Sequence, residues 1–244
     1  MNSYSSVLRR GLFAAAFVLV SLTAASAAES FEGRIHMDMT GGNKKEKMSI
    51  EYAMKDGKMR MDPQMGERHG RSGSMGMIVD MPAREMIILM DNDGKKMFMR
   101  RPIPQPTAEQ TAKVREGHPM SAPVATGRTE MIAGYKATEY RTTNEKGEII
   151  ELWLAKGLGP FMSFSGGNPM MGRGTPPPGW ENFAREGNAF PMRVVTHDAA
   201  GAEKMRMEVT SVDKTPLPDS LFSTDGYTEF QMPDLGGMMN PFKR

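Results

Sequence analysis

Five methionine pairs in this chain have the form M-x-M: Met37 and Met39, Met59 and Met61, Met75 and Met77, Met97 and Met99, Met205 and Met207. Thioether sulfur is a soft donor that suits Cu(I). Two steps along a strand place both side chains on one face, about 6.6 Å apart at their bases. Sulfurs sharing one ion must come closer, because metal–sulfur bonds are about 2.3 Å. Long side chains bridge that gap, so the spacing permits a Cu(I) site. Any strand built from methionine also produces the same spacing, so the pairs alone do not define one. A methionine is equally a flexible apolar filler, used where a surface must adapt to varied partners.

The four histidines, His36, His69, His118 and His197, are scattered and form no ligand cluster. There is no cysteine, which excludes disulfides, zinc–thiolate sites and a thiol nucleophile. No H-E-x-x-H, G-x-S-x-G or P-loop phrase is present. Gly70, Gly73 and Gly76 make a glycine-rich stretch, but no helix pattern follows to receive a nucleotide phosphate. The residues therefore predict a binding protein and not an enzyme, with no catalytic residue, no cofactor and no assigned metal site.

Elements must position these methionines, and the dominant pattern is alternation with period two. Phe31, Gly33, Ile35, Met37 and Met39 point one way. Met48, Ile50, Tyr52 and Met54 repeat the pattern. DGKMRMD, Asp56–Asp62, reads as an Asp-Gly hairpin turn feeding a strand with Met59 and Met61 inward. DGKKMFMR, Asp93–Arg100, repeats it with Met97 and Met99 inward. Lys58, Arg60, Lys96 and Arg100 alternate with these methionines and are expected on a solvated outer face. Continuing along the chain gives about eleven antiparallel strands, expected as an all-β barrel or sandwich with minor helices. Two Gly/Pro-rich insertions, at about 102–126 and 157–189, interrupt them. Short helices are expected at Thr107–Glu116 and Trp180–Glu186, and one helical turn at Pro218–Phe222. Residues 28–235 form a single domain in this reading, and 236–244 a flexible tail.

The first 27 residues read as a cleaved signal peptide. Arg9 and Arg10 precede the apolar run Leu12–Leu22, and Ala25-Ser26-Ala27-Ala28 supplies small residues for cleavage. The run is too short to span a bilayer. A periplasmic location follows as an expectation, with no integral membrane segment after cleavage. Removing residues 1–27 takes away two basic residues and no acidic one, leaving 29 of each sign and no net charge. A nucleic-acid partner, which calls for a basic excess, is not expected.

Twenty-five methionines remain against seven leucines. Methionine therefore takes a place that leucine holds in most cores. One reading is plain core filling. A second is an adaptable apolar cavity walled by Met37, Met39, Met48, Ile50, Tyr52, Met59, Met61, Met77, Met97, Met99 and Trp153, with Phe98 beside them. Its partner would be an apolar small molecule. A third is Cu(I) binding or oxidant buffering in the envelope, for which the loop residues Met120, Met162, Met170, Met171, Met238 and Met239 are the candidates.

Four phrases carry a resemblance: MIVDMPAREMIILMDNDGKKMFM (Met77–Met99), TGRTEMIAGYKATEYR (Thr126–Arg141), ELWLAKGLG (Glu151–Gly159) and VDKTPLPDSLFSTDGYTEFQMP (Val212–Pro233). The chain resembles a family of secreted bacterial domains of unknown function, itself similar in fold to the outer-membrane lipoprotein carriers and their receptor. The resemblance implies an all-β, open and strongly curved antiparallel half-barrel with covering loops and short helices, whose concave apolar face holds acyl chains in the carriers. A lipid or an acylated protein is the partner it implies.

Overall fold

The structure, a computed structural model, describes residues 31–41, 46–64, 73–103, 121–159, 161–162 and 179–230. The strands are β1 (Gly33–Gly41), β2 (Glu46–Lys55), β3 (Lys58–Gln64), β4 (Gly73–Asp80), β5 (Glu85–Asn92), β6 (Lys95–Pro102), β7 (Val124–Ile132), β8 (Tyr135–Thr143), β9 (Ile149–Lys156), β10 (Ala189–His197), β11 (Glu203–Asp213) and β12 (Thr228–Glu229). Helix α1 (Gly179–Glu186) lies between β9 and β10, and a 3-10 turn (Asp219–Phe222) follows β11. All strands join one sheet in the order β12-β6-β5-β4-β3-β2-β1-β11-β10-β9-β8-β7. The sheet does not close, and the result is an open half-barrel. Two up-and-down meanders meet where β1 pairs with β11. Eleven strands agree with the sequence pattern. The twelfth, β12, is a two-residue parallel addition to β6.

Tight turns fix the register. Asp56-Gly57, Asp93-Gly94 and Ala133-Gly134 each place two consecutive residues at positive φ. That conformation matches the right-handed twist of a two-residue hairpin. Lys55 consequently faces Lys58, and Met54 faces Met59.

With register fixed, alternation builds the inner face. One row of cross-strand neighbours runs Val212, Ile35, Tyr52, Met61, Met77, Ile88 and Met99. Most of it is fully buried. Helix α1 lies over part of this face. Its Trp180 stacks on Phe161 at 5.9 Å, and Phe161 meets Phe190 edge-on at 5.4 Å and Tyr52 at 5.9 Å. Phe183 of α1 packs against Tyr140 at 5.2 Å.

The outer face is not uniformly solvated. Ala53, Ile78, Ile87, Leu89 and Phe98 form a second apolar cluster there, covered by Leu217, Leu221, Phe222 and Tyr227. Phe98 therefore sits on the opposite face from the methionines flanking it. Burying each such Leu or Phe contributes about 1.5–3 kcal/mol. Polar contacts hold the covering segment. Lys55 Nζ donates to Leu217 O at 2.7 Å and pairs with Asp219 at 2.8 Å. Arg60 Nη1 donates to Leu221 O at 2.9 Å, and the Leu217 amide donates to Glu32 at 2.8 Å. Arg60 is largely covered as a result, a correction to its expected solvation.

Gly76 lies within β4, not in a phosphate loop. A Cβ there would stand 2.6 Å from Asp62 Oδ1, a carboxylate fixed by Arg60. β7 begins at Val124, so the first insertion ends slightly before its expected boundary. Helix α1 and the 3-10 turn lie where the sequence places them. The segments 1–27, 107–116 and 236–244 fall outside the described residues. No helix among the described residues is long and apolar enough to cross a membrane.

Candidate functional site

A cavity of about 510 Å³ opens at one end of the half-barrel. Small-molecule sites span about 300–1,000 Å³. The β2–β3 hairpin supplies Met54, Lys55, Gly57, Lys58 and Met59. Val79 and Met81 come from the end of β4 and its turn. Phe31 enters from the residue pair ahead of β1. Gly157, Gly159, Phe161 and Met162 come from the chain leaving β9, and Arg185 and Asn188 from the C-terminal end of α1.

The sequence sets this arrangement locally. The Asp56-Gly57 turn ends β2 and starts β3 with Met54 and Met59 on the inner face as direct partners. Gly157 and Gly159 take positive φ, at 87° and 78°, which turns the chain back over the sheet after β9. That return brings Gly159 against Met54, whose sulfur lies 3.7 Å from where a Cβ would stand. It also delivers Phe161 into the aromatic cluster under α1.

Seven of the lining side chains are apolar: Phe31, Met54, Met59, Val79, Met81, Phe161 and Met162. Three are cationic, and none of the described lining residues is acidic. Lys55 is committed to Asp219, Glu32 and Leu217 O. Lys58 is partly exposed and lies 3.4 Å from Asp80. Arg185 donates to the neutral side chain of Asn182.

Of the residues expected to wall a cavity, Met59 does so. Met37, Ile50, Tyr52, Met61 and Met77 are buried in the main apolar cluster, and Met99 is buried as well. Met39, Met48 and Met97 are half-buried along it. Trp153 is on the other face. Its cross-strand partners are Glu139 and Arg193, and the guanidinium groups of Arg128 and Arg193 stand 5.5 and 5.7 Å from its ring. The strand Ile149–Lys156 is apolar on both sides, so its hydrophobicity alone did not show which face Trp153 takes. Glu151, two residues away on the same side, was the available signal. Met54, Met81, Phe31, Phe161 and Arg185 were not singled out as a site. Met54 was legible from alternation. Phe31 is legible in the same way, Met81 sits in the turn after β4, Phe161 depends on how the chain returns after β9, and Arg185 on where α1 ends.

The outer face around Trp153 is a charge network. The side chain of Glu139 is fully buried and bonds to Arg128 and Thr126, with Arg141 at 3.2 Å. The hydrogen bonds from Arg128 chiefly hold its carboxyl down, from 4.5 to about 2. Arg193 bridges Glu130 at 2.8 Å and Glu208 at 2.6 Å. On the inner side, burial raises the Tyr52 hydroxyl well above its ordinary value, with the buried Glu181 carboxylate adding to it.

His36 lies 3.7 Å from Glu51 and His197 3.9 Å from Glu151. No group of three or more His, Asp or Glu among the described residues could hold a metal. His69, His118, Met120, Met170, Met171, Met238 and Met239 fall outside the described residues.

Comparison with solved structures finds likeness at low identity. PNGF-II is 13% identical, with 83% of this chain and 31% of that chain covered and a TM-score of 0.45. The MucA/MucB complex of Pseudomonas aeruginosa is 10% identical, with 80% and 56% covered and a TM-score of 0.39. An uncharacterized conserved protein of Thermus thermophilus is 10% identical, with 82% and 91% covered and a TM-score of 0.39. The chain thus spans under a third of the PNGF-II chain and little more than half of the MucB-containing match. No curated protein matches the chain. A protein family described as a domain of unknown function, DUF4412, matches residues 31–225. That match runs from just before β1 to beyond the 3-10 turn, and the chain belongs to the DUF4412 family.

Proposed function

We propose that this protein is a secreted binding or carrier protein of the bacterial envelope that holds an apolar or acylated ligand in the cavity beside the β2–β3 hairpin. The observation that carries this reading is the cavity itself, about 510 Å³ and lined by seven apolar side chains, four of them methionine. A methionine wall adapts its shape to the ligand, which suits lipid chains of varied length. The signal-like segment at residues 1–27 supports delivery to the periplasm. Resemblance to the lipoprotein carriers agrees with an acyl ligand and an acylated protein as its source. Binding, with no chemical conversion, is the role proposed.

Mass spectrometry of protein purified gently from the periplasm tests this. A co-purifying lipid, or saturable uptake of an apolar fluorescent probe, is the expected outcome. Protein that carries no lipid and takes up no probe would contradict it.

Four methionines on one cavity also favour a second reading, Cu(I) binding by Met54, Met59, Met81 and Met162. The three cationic side chains on the same lining oppose a metal cation. Competition against a Cu(I) chelator separates the two, and failure to draw copper from a micromolar chelator removes the second.

A further inference from the structure

Among the described residues the cavity lining carries three cationic side chains, Lys55, Lys58 and Arg185, and no acidic one. Lys55 is held by Asp219, Glu32 and Leu217 O, so its charge is offset and it takes no part in the contact. Lys58 has only a loose ion pair with Asp80, at 3.4 Å, and that pair is exposed enough to be weak. Arg185 stands in the last turn of α1 with a neutral hydrogen-bond acceptor, Asn182. The helix end itself adds little opposing negative charge, because the carbonyls of Phe183 and Arg185 accept from the amides of Gly187 and Asn188.

We infer that the cavity selects single-chain amphiphiles with an anionic head, the head lying between Lys58 and Arg185 and the chain lying on Met54, Met59 and Phe161. This rests on the apolar-cavity reading above and adds the chemistry of the head group. A carboxylate and a phosphate meet the same requirement, so a free fatty acid and a lysophospholipid are two sources of one ligand chemistry. A neutral head of equal chain length gains the apolar contacts but not the ion pairs. A cationic head meets repulsion.

The test is displacement of a bound apolar fluorescent probe from the purified protein by laurate, dodecyl phosphate, dodecanol and dodecyltrimethylammonium, which share one chain and differ in the head. Either anion, or both, should displace the probe about fivefold more effectively than dodecanol, and the cation least. The stronger anion identifies carboxylate or phosphate as the preferred source. Lys58→Gln combined with Arg185→Gln, both at partly or fully exposed positions, should bring the anions to the level of dodecanol measured in that same variant. Equal displacement by anion and alcohol in the unaltered protein, or an anion preference that survives the double substitution, would overturn the head-group inference. Binding of dodecanol separates the two levels. If it binds while the heads are not distinguished, the cavity reading stands without this inference. If neither the probe nor any amphiphile binds, the cavity reading itself fails.

Discussion

Met54 and Met59 are direct cross-strand partners on either side of the Asp56-Gly57 turn, and both line the cavity. Two positions further along β3, Met61 partners Tyr52 and is fully buried. The same strand thus presents one methionine to open space and the next to packed core. Their responses to substitution should differ accordingly.

Met162 is half-buried at the cavity, so Met162→Trp has room to place its indole there. Uptake of an apolar probe should fall about tenfold or more, with the unfolding midpoint little changed. Met61→Ala should do the reverse. It leaves a void in filled core and should cost about 2–5 kcal/mol in urea unfolding. Equal effects of the two substitutions on binding and on stability would contradict the division between cavity and core.

Acid sensitivity should trace in part to Glu139. Its carboxyl is lowered from 4.5 to about 2 in the folded protein, chiefly by hydrogen bonds from Arg128. A depressed carboxyl adds stability above the unfolded value of 4.5, and that contribution fades as the pH falls toward 2. Glu139→Gln should cost about 2 kcal/mol at neutral pH and flatten the stability profile between those limits. Urea titrations at stepped pH read this directly. An unchanged acid slope in the variant would show that Glu139 does not set it.

Gly33 takes φ of 148° at the start of β1, and a Cβ there would stand 2.1 Å from the carbonyl oxygen of Asp213. The obstacle is backbone on the paired strand β11 and cannot swing aside. Gly33→Ala should destabilise by about 2 kcal/mol or more, measured by the denaturation midpoint. It should also loosen the β1–β11 seam, read as faster amide exchange along β11 than in the unaltered protein.

Phe222 should act on stability and not on binding. Phe222 closes the outer cluster over Ile78, Ile87, Leu89 and Phe98, on the face opposite the cavity. Phe222→Ala should cost about 3–5 kcal/mol while leaving probe affinity in the folded fraction unchanged. A loss of affinity would show that the two faces are coupled.

Much of the fold was legible because its causes are local. Alternation placed Met37, Met59, Met61 and Met77 on the inner face, and the Asp-Gly dipeptides marked two hairpins whose turn residues do take positive φ. β12 escaped notice because a two-residue strand has no period to read. Trp153 and Phe98 were placed among the wall residues, but each lies on the outer face. For Trp153 both sides of β9 are apolar, and its surroundings are set by Arg128, Glu139 and Arg193 from other strands. For Phe98 the cover comes from residues more than a hundred positions later in the chain. Alternation also could not tell cavity from core, since Met59 and Met61 share one face. That difference comes from Phe161 and α1, which fill the space over part of the inner face and leave the end beside the hairpin open.

The central claim, an apolar ligand site beside the β2–β3 hairpin, is met most directly by titrating an apolar fluorescent probe into the purified protein and into Met162→Trp. Saturable binding of one probe per chain to the unaltered protein, weakened about tenfold or more by the substitution, is the predicted result. No saturable binding, or binding that Met162→Trp leaves unchanged, would contradict it.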